Sequence, residues 1–315
     1  MERQTKRRFV ATGDLVADCY YQVDDGRKKL LKVDGGASRF NVIANLAARG
    51  CNTKVISACG SDMAGEIVLN HMKNIGVDVK DVIRHDKDTR KYHILPTPYG
   101  THICQKTCPI CYNETWYEEP LTDFSYCIGK IRKRDILILD GISLESAELI
   151  LHTTNNKVLD LGRIKRLISL TEKQIEYFLK ARFEILQLNE LVEKHLLARF
   201  GIDSIIELYE ILKPNLLIVT RGKSGTDFVY QHQIYSKVLK EPAIELDDTG
   251  AGDAFLSVVI QEYYNNNKKV DQQFIDETFE KAVKVTSKVV SYLGARGHLY
   301  PGYYPENTCN CMCKK

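Results

Sequence analysis

The chain reads as an α/β fold with a largely parallel central sheet covered by helices on both faces, and three observations point to it. Short apolar runs of strand length recur, segments with apolar residues at helical spacing lie among them, and glycines punctuate the joins. Residues 7 to 12 read as a strand ending at Gly13. Residues 38 to 49 put Phe40, Ile43, Ala44 and Ala47 on one helical face before Gly50 stops the helix. Lys54 to Ala58 is the next strand and Ala64 to Asn74 the next helix, closed by Gly76. Buried-strand runs follow at Ile136 to Leu139, Lys157 to Leu159, Glu184 to Leu186 and Leu216 to Val219. Helix-like segments lie near 144 to 152, 171 to 181, 189 to 199 and 203 to 213.

Two stretches break this rhythm. Residues 15 to 34 and about 88 to 125 carry Tyr, Thr and Val in strand-like runs, such as Arg90 to Leu95, with no amphipathic helix behind them. They predict a small extra β-sheet, and since no linker sets it apart it is expected to be a lid rather than an independent domain. The division that follows is a core of 1–14, 36–87 and 126–306, a lid of 15–35 and 88–125 with a cysteine-containing insert, and a Cys-rich tail at 307–315 with little to pack.

At 315 residues, 44% hydrophobic and 27% charged, the chain can bury a large core, which excludes a peptide hormone or a disordered tail. Lys plus Arg number 44 against 41 Asp plus Glu, a net charge of +3, so bulk electrostatics do not point to nucleic acid. The basic start Lys6-Arg7-Arg8 runs into only Phe9-Val10-Ala11, too short for a signal-peptide core. No later segment approaches the roughly 18 to 20 apolar residues of a membrane helix, so no membrane partner and a cytoplasmic location are expected. In that reducing compartment ten cysteines argue for free thiols or metal thiolates over a disulfide framework.

The strongest local signal is Asp247-Asp248-Thr249-Gly250-Ala251-Gly252-Asp253, followed by an apolar helical run from Ala254 to Ile260. Small residues at a helix start let backbone N–H groups approach an anion the size of phosphate, favoured by the helix dipole. Asp253 then falls in the first turn, where a carboxylate can take the proton of a hydroxyl attacking phosphorus. The plain alternative is an Asp stabilising an ordinary helix start. Gly222-Lys223-Ser224 is not a P-loop, because Leu217 stands where that pattern needs its first Gly.

Gly250-Ala251-Gly252-Asp253 resembles the C-terminal signature of the ribokinase-type (PfkB) carbohydrate kinases, and Gly35-Gly36-Ala37-Ser38-Arg39-Phe40-Asn41 resembles their N-terminal one. Gly60-Ser61-Asp62, Gly65, Gly76-Val77-Asp78, Thr89-Arg90, Leu188-Asn189-Glu190 and Val219-Thr220-Arg221-Gly222 with Gly225 follow in the family's order. The resemblance covers almost the whole chain and implies a ribokinase-like fold and ATP-dependent phosphorylation of a hydroxyl on a sugar or sugar-like molecule with Mg²⁺. It implies Asp253 as base and Gly250, Ala251 and Gly252 as the anion hole, with Asp18, Gly35, Gly36 and Asn41 binding the acceptor. Thr220, Gly222, Gly225 and Gly294 belong with the nucleotide, and Asp247 matches a position near a monovalent cation such as K⁺ in some members. The family's Asn-x-x-Glu is matched at Asn189 but has Val192 in place of its glutamate, so Glu190 or Glu193 must substitute or the metal network differs. Arg221 is either a phosphate contact or a surface residue. The start of the chain is similar to the bacterial heptose-phosphate kinase branch. A nucleoside kinase is the alternative within the class, and a non-catalytic sugar or redox sensor the alternative outside it. Lid strands in this family pair between subunits, which implies a homodimer.

Cys104-x3-Cys108-x2-Cys111 lies in the lid and outside the family pattern. Three thiolates so close can hold a structural Zn²⁺, with a fourth ligand from Cys127, His102 or the Cys309, Cys311, Cys313 tail. The spacing also equals the iron–sulfur pattern of radical enzymes, and unliganded thiols are the third reading. His93, His102 and His298 read as surface or satisfied core histidines.

Overall fold

The computed structural model describes residues 7–96, 102–117, 119–140, 153–162, 171, 175, 179–241, 243–300 and 311–313. Seven strands run parallel in the main sheet: β1 (Arg8–Asp14), β4 (Asn52–Gly60), β5 (Asp78–His85), β8 (Ile136–Leu139), β9 (Asn156–Asp160), β10 (Ile185–Asn189) and β11 (Leu216–Thr220). β12 (Thr226–Tyr230) and β13 (Gln233–Lys237) extend it as an antiparallel hairpin, giving the order β13-β12-β11-β10-β9-β8-β1-β4-β5. A second sheet takes β2 (Val16–Asp24), β3 (Arg27–Gly35), β6 (Arg90–Pro96) and β7 (His102–Gln105) in the order β3-β2-β6-β7.

The main sheet is the middle of three layers, because alternate residues of each strand serve opposite cores. In β1, Phe9 and Ala11 join the core that includes Phe40 and Ile43 of α1 (Ser38–Ala48), Val68 of α2 (Met63–Asn74), Phe255 of α6 (Ala251–Asn265) and Phe274 of α7 (Gln272–Val289). Val10 joins the other, with Cys127 of α3 (Phe124–Lys130), Val192 of α4 (Glu190–Phe200) and Leu208 of α5 (Ile205–Leu212). In β11, Leu216 and Ile218 face the first core, Leu217 and Val219 the second. Local chemistry sets the helix boundaries: Ser204 and Glu207 form a capping box at α5, and Gly201 ends α4 in the left-handed region.

The structure adds strands that the apolar runs did not reveal. β5 is a half-buried edge strand whose sequence, Asp-Val-Lys-Asp-Val-Ile-Arg-His, alternates too many charges to read as a core run. The β12–β13 hairpin turns on Gln231 and His232, both at positive φ (47° and 62°), where no Gly or Asn announces a turn. The helix expected near 144 to 152 and most of that expected at 171 to 181 lie outside the described residues. Among the described residues no helix is long and apolar enough to cross a membrane.

Candidate active site

Parallel strands bring their carboxyl ends to one edge of the sheet. There the chain is polar: Asp14 on β1, Asp140 just after β8, Asp160 on β9, Asn189 on β10 and Thr220 on β11. Helix α6 begins beside this edge with Gly250 at φ +85° and no side-chain cap, so its first turn presents N–H groups and positive dipole to whatever lies in front. Gly250 is sterically required as well, since a Cβ there would lie 2.6 Å from that of Ala295. The N–H of Ala251 turns back to the Asp248 carbonyl at 3.1 Å, which removes one of the donors expected in the anion hole. Gln187 steadies the helix start from β10, its amide nitrogen lying 3.2 Å from the Gly252 carbonyl and 3.3 Å from Asp160 Oδ1.

Asp253 is buried in this first turn, and Asn41 of α1 donates to its Oδ2 at 2.7 Å. Asn41 Oδ1 accepts from Arg296 Nε at 2.8 Å, and Arg296 Nη2 donates to the Gly36 carbonyl at 3.0 Å. Arg296 is 0% exposed. A guanidinium has only donors, so it forces the Asn41 oxygen toward itself and the amide nitrogen toward Asp253. Sequence reasoning stopped at Gly294-Ala295 and missed this residue. The signal was present, as a long cation amid the small residues of Gly294-Ala295-Arg296-Gly297.

On the acceptor side, Gly35 and Gly36 join β3 to α1. A Cβ on Gly35 would overlap the Arg296 guanidinium, and one on Gly36 the Asp18 carboxylate. The pair of glycines therefore lets a buried cation and a buried anion reach the same bend. Asp18, Gly35, Gly36, Asn41 and Asp253 converge here. The next carboxylate, Asp34, is wholly buried, with Lys32 Nζ at 3.0 Å and donation from Tyr300 at 2.8 Å and the Gly35 N–H at 2.7 Å.

A cleft of about 280 Å³ opens beside this centre. Thr220, Gly222 and Gly225 line one side, Ala251 and Gly252 border it, and Phe255, Phe279 and Val283 give it an apolar wall. Gly294 lies outside its lining and acts through Asp247: the Gly294 N–H donates to Asp247 Oδ2 at 2.8 Å and the Thr249 N–H to Oδ1 at 2.9 Å. Buried Asp247 thus latches the Gly294 to Arg296 segment onto the loop before α6.

The residues expected to replace the family glutamate do not present themselves to a metal. Asn189 caps α4 through the Val192 N–H at 2.9 Å and donates to the Gly162 carbonyl at 2.7 Å, while Val192 is wholly buried. Glu190 pairs with Lys194 at 2.6 Å on the exposed side of α4. Glu193 receives both arms of the Arg221 fork at 2.7 and 2.9 Å, and Arg221 Nε goes to Asp227 at 2.8 Å. Those carboxylates push the Arg221 pKa up, and the guanidinium is committed within the protein rather than to a phosphate.

The cysteines divide. Cys108 and Cys111, in the segment after β7, meet Cys311 and Cys313, while Cys104 is exposed on β7 outside that group. Cys127 lies elsewhere, its Sγ 3.5 Å from the Ile56 carbonyl, where burial pushes its thiol up to about 12. The side chain of His102 and the whole of Cys309 lie outside the described residues. His93 bonds Tyr21 and Thr115 in the core, and half-buried His298 bonds Asn45.

A family model described as pfkB family carbohydrate kinase matches residues 6–299. Fructokinase of Salmonella thompson is 35% identical over 83 residues, which is 26% of this chain and 36% of that protein's length. Among solved structures, fructokinase with bound ATP from Xylella fastidiosa is similar at a TM-score of 0.74 and 15% identity, covering 93% of this chain and 95% of that one. Burkholderia thailandensis nucleoside kinase in complex with inosine is similar at 0.70 and 14% identity, covering 92% and 93%. At such identities these structures establish the fold alone.

Proposed function

We propose that this chain, which belongs to the pfkB family of carbohydrate kinases, transfers the terminal phosphoryl group of ATP to a hydroxyl of a sugar or sugar-like small molecule. The observation that carries this reading is the buried chain Arg296–Asn41–Asp253 beside an uncapped helix start. Asp253 takes the proton of the acceptor hydroxyl as it attacks phosphorus. Asn41 fixes the carboxylate's rotamer, and Arg296 fixes Asn41. The first-turn N–H groups of α6, from Gly252 onward, face the charge that develops on the phosphoryl oxygens. Asp18 accepts hydrogen bonds from the acceptor's hydroxyls, and the bend at Gly35 and Gly36 closes its pocket. The nucleotide base lies against Phe255, Phe279 and Val283, with its phosphates passing Thr220, Gly222 and Gly225 toward Gly252. The second sheet covers the acceptor and excludes water that would otherwise take the phosphoryl group.

Mg²⁺ arriving with ATP supplies charge neutralisation on the phosphates. Glu190 and Glu193 do not fit it as ligands here, and no step above depends on them. A monovalent cation beside the Asp247 loop belongs to the same reading.

The test is ADP formation from Mg²⁺·ATP across hexoses, pentoses, heptose phosphates and nucleosides. Acceptor-dependent turnover is expected with a sugar or sugar phosphate. Turnover with a nucleoside alone replaces the acceptor class, and silence from folded, ATP-binding protein replaces catalysis with a sensor role.

A further inference from the structure

The Sγ atoms of Cys108, Cys111, Cys311 and Cys313 all lie within 4.8 Å of one another. We propose that they form a tetrahedral site for one Zn²⁺, which clips the Cys311 to Cys313 segment to the lid. Zinc bound to four thiolates at about 2.3 Å spaces the sulfurs about 3.8 Å apart, so this group needs only a small contraction to grip an ion. A cluster of several irons holds its thiolates farther apart than a single ion does. An all-sulfur set is also the wrong chemistry for Mg²⁺ or Ca²⁺.

The lid half of the site is shaped for the task. Cys108-Pro109-Ile110-Cys111 is a tight turn that brings its two sulfurs within 4.8 Å of each other. The turn is closed by Cys108 N–H to the Asn113 carbonyl at 2.9 Å and Tyr112 N–H to the Cys108 carbonyl at 3.0 Å, with Tyr112 at φ +61°. Behind Cys108, which is buried, Tyr21 Oη lies 3.8 Å from its sulfur and 2.9 Å from His93 Nδ1, and His93 Nε2 lies 3.2 Å from Thr115 Oγ1. This is an outer shell that orients a ligand.

The other half comes from 200 positions further along the chain, Cys111 to Cys311. Between its two cysteines Met312 is 6% exposed and packs into the core that holds Leu30 and Phe40. The segment thus alternates, sulfur toward the lid turn and methionine into the core. A disordered end is what this composition predicts without a metal.

The experiment is metal analysis of the full chain purified without chelator. About one zinc per chain is expected in the wild type and in Cys104→Ser, falling below about 0.2 in Cys311→Ser and Cys313→Ser. Chelator should lower the wild-type Tm and leave that of Cys311→Ser unchanged, which separates loss of metal from misfolding. Co²⁺ added to the metal-free wild type should give the strong sulfur-to-cobalt charge-transfer absorption of a tetrathiolate site. The proposal is overturned by iron or acid-labile sulfide in place of zinc. Zinc retained in a Cys311→Ser/Cys313→Ser double variant overturns it too, as does a wild type that takes up no Zn²⁺ and leaves Cys111, Cys311 and Cys313 open to a thiol reagent.

Discussion

The proposed catalytic centre and the junction with the second sheet both bury charge, but Arg296 is paired differently from the cations of the junction. In the proposed catalytic centre the buried Arg296 meets neutral acceptors, Asn41 Oδ1, the Gly36 carbonyl and, at 3.6 Å, the Met72 sulfur, although Arg39 on the same edge pairs with Asp140. Where the second sheet meets the main one, cations meet carboxylates directly: buried Lys91 with Asp62 at 2.7 Å, buried Lys32 with Asp34 at 3.0 Å and half-buried Arg90 with Asp14 at 2.9 Å. These pairs sit where the chain enters and leaves the lid. Asp62 caps α2 and also takes the Thr89 hydroxyl, while Asp14 of β1 accepts the N–H groups of Leu121 and Thr122. Burial alone would raise the Asp62 pKa, and the Lys91 charge and hydrogen bonds hold it below the usual carboxylate range. The contrast teaches that a cation with neutral partners can orient the carboxylate proposed as base without neutralising it. An ion pair instead ties two segments of the chain together.

Separating the two halves by mutation sharpens this contrast. Lys91→Met strands a buried carboxylate and should cost about 3–5 kcal/mol in urea unfolding, with kcat changed only a few-fold. Arg296→Met should cost about 3 kcal/mol, since it orphans Asn41 Oδ1 and the Gly36 carbonyl, and it should lower kcat by about 10²-fold through a misoriented Asn41. Equal kcat losses in the two variants would break the distinction.

The seam between the halves should be acid-sensitive. Burial brings His71, stacked on Tyr300, and His298, bonded to Asn45, down to about 4 from 6.5. Their folded pKa values are depressed, so the unfolded chain binds more protons between those limits. Stability is full above pH 6.5 and falls as pH drops toward 4, on the order of 2 kcal/mol for each histidine. Buried His93 is held down in the same way, so thermal melts of His71→Phe across this range should show a loss smaller than that of the wild type by about a third. Asn189→Ala, which removes the α4 cap beside the nucleotide loops, should cost about 1 kcal/mol with lid hydrogen exchange unchanged.

Much of this was legible in the sequence because it depends on local chemistry. Short apolar runs and helical spacing placed the layers, the small residues at Gly250 to Gly252 marked the helix start, and the family resemblance marked Gly36. What escaped depends on tertiary partners. Arg296 matters only because Gly35 leaves room for it, and Glu193 looked available until Arg221 closed on it. Cys104 belonged with Cys108 and Cys111 by spacing, yet β7 carries it to the surface while a distant segment completes the thiol group.

The central claim is that Asp253 is the base and that Asn41 and Arg296 hold it ready. Asp253→Asn, assayed for turnover with the best acceptor and for ATP affinity by titration, tests it most directly. The account predicts a fall in kcat of about 10²–10⁴-fold with ATP affinity within about two-fold of wild type. A variant that keeps kcat within about three-fold would contradict it.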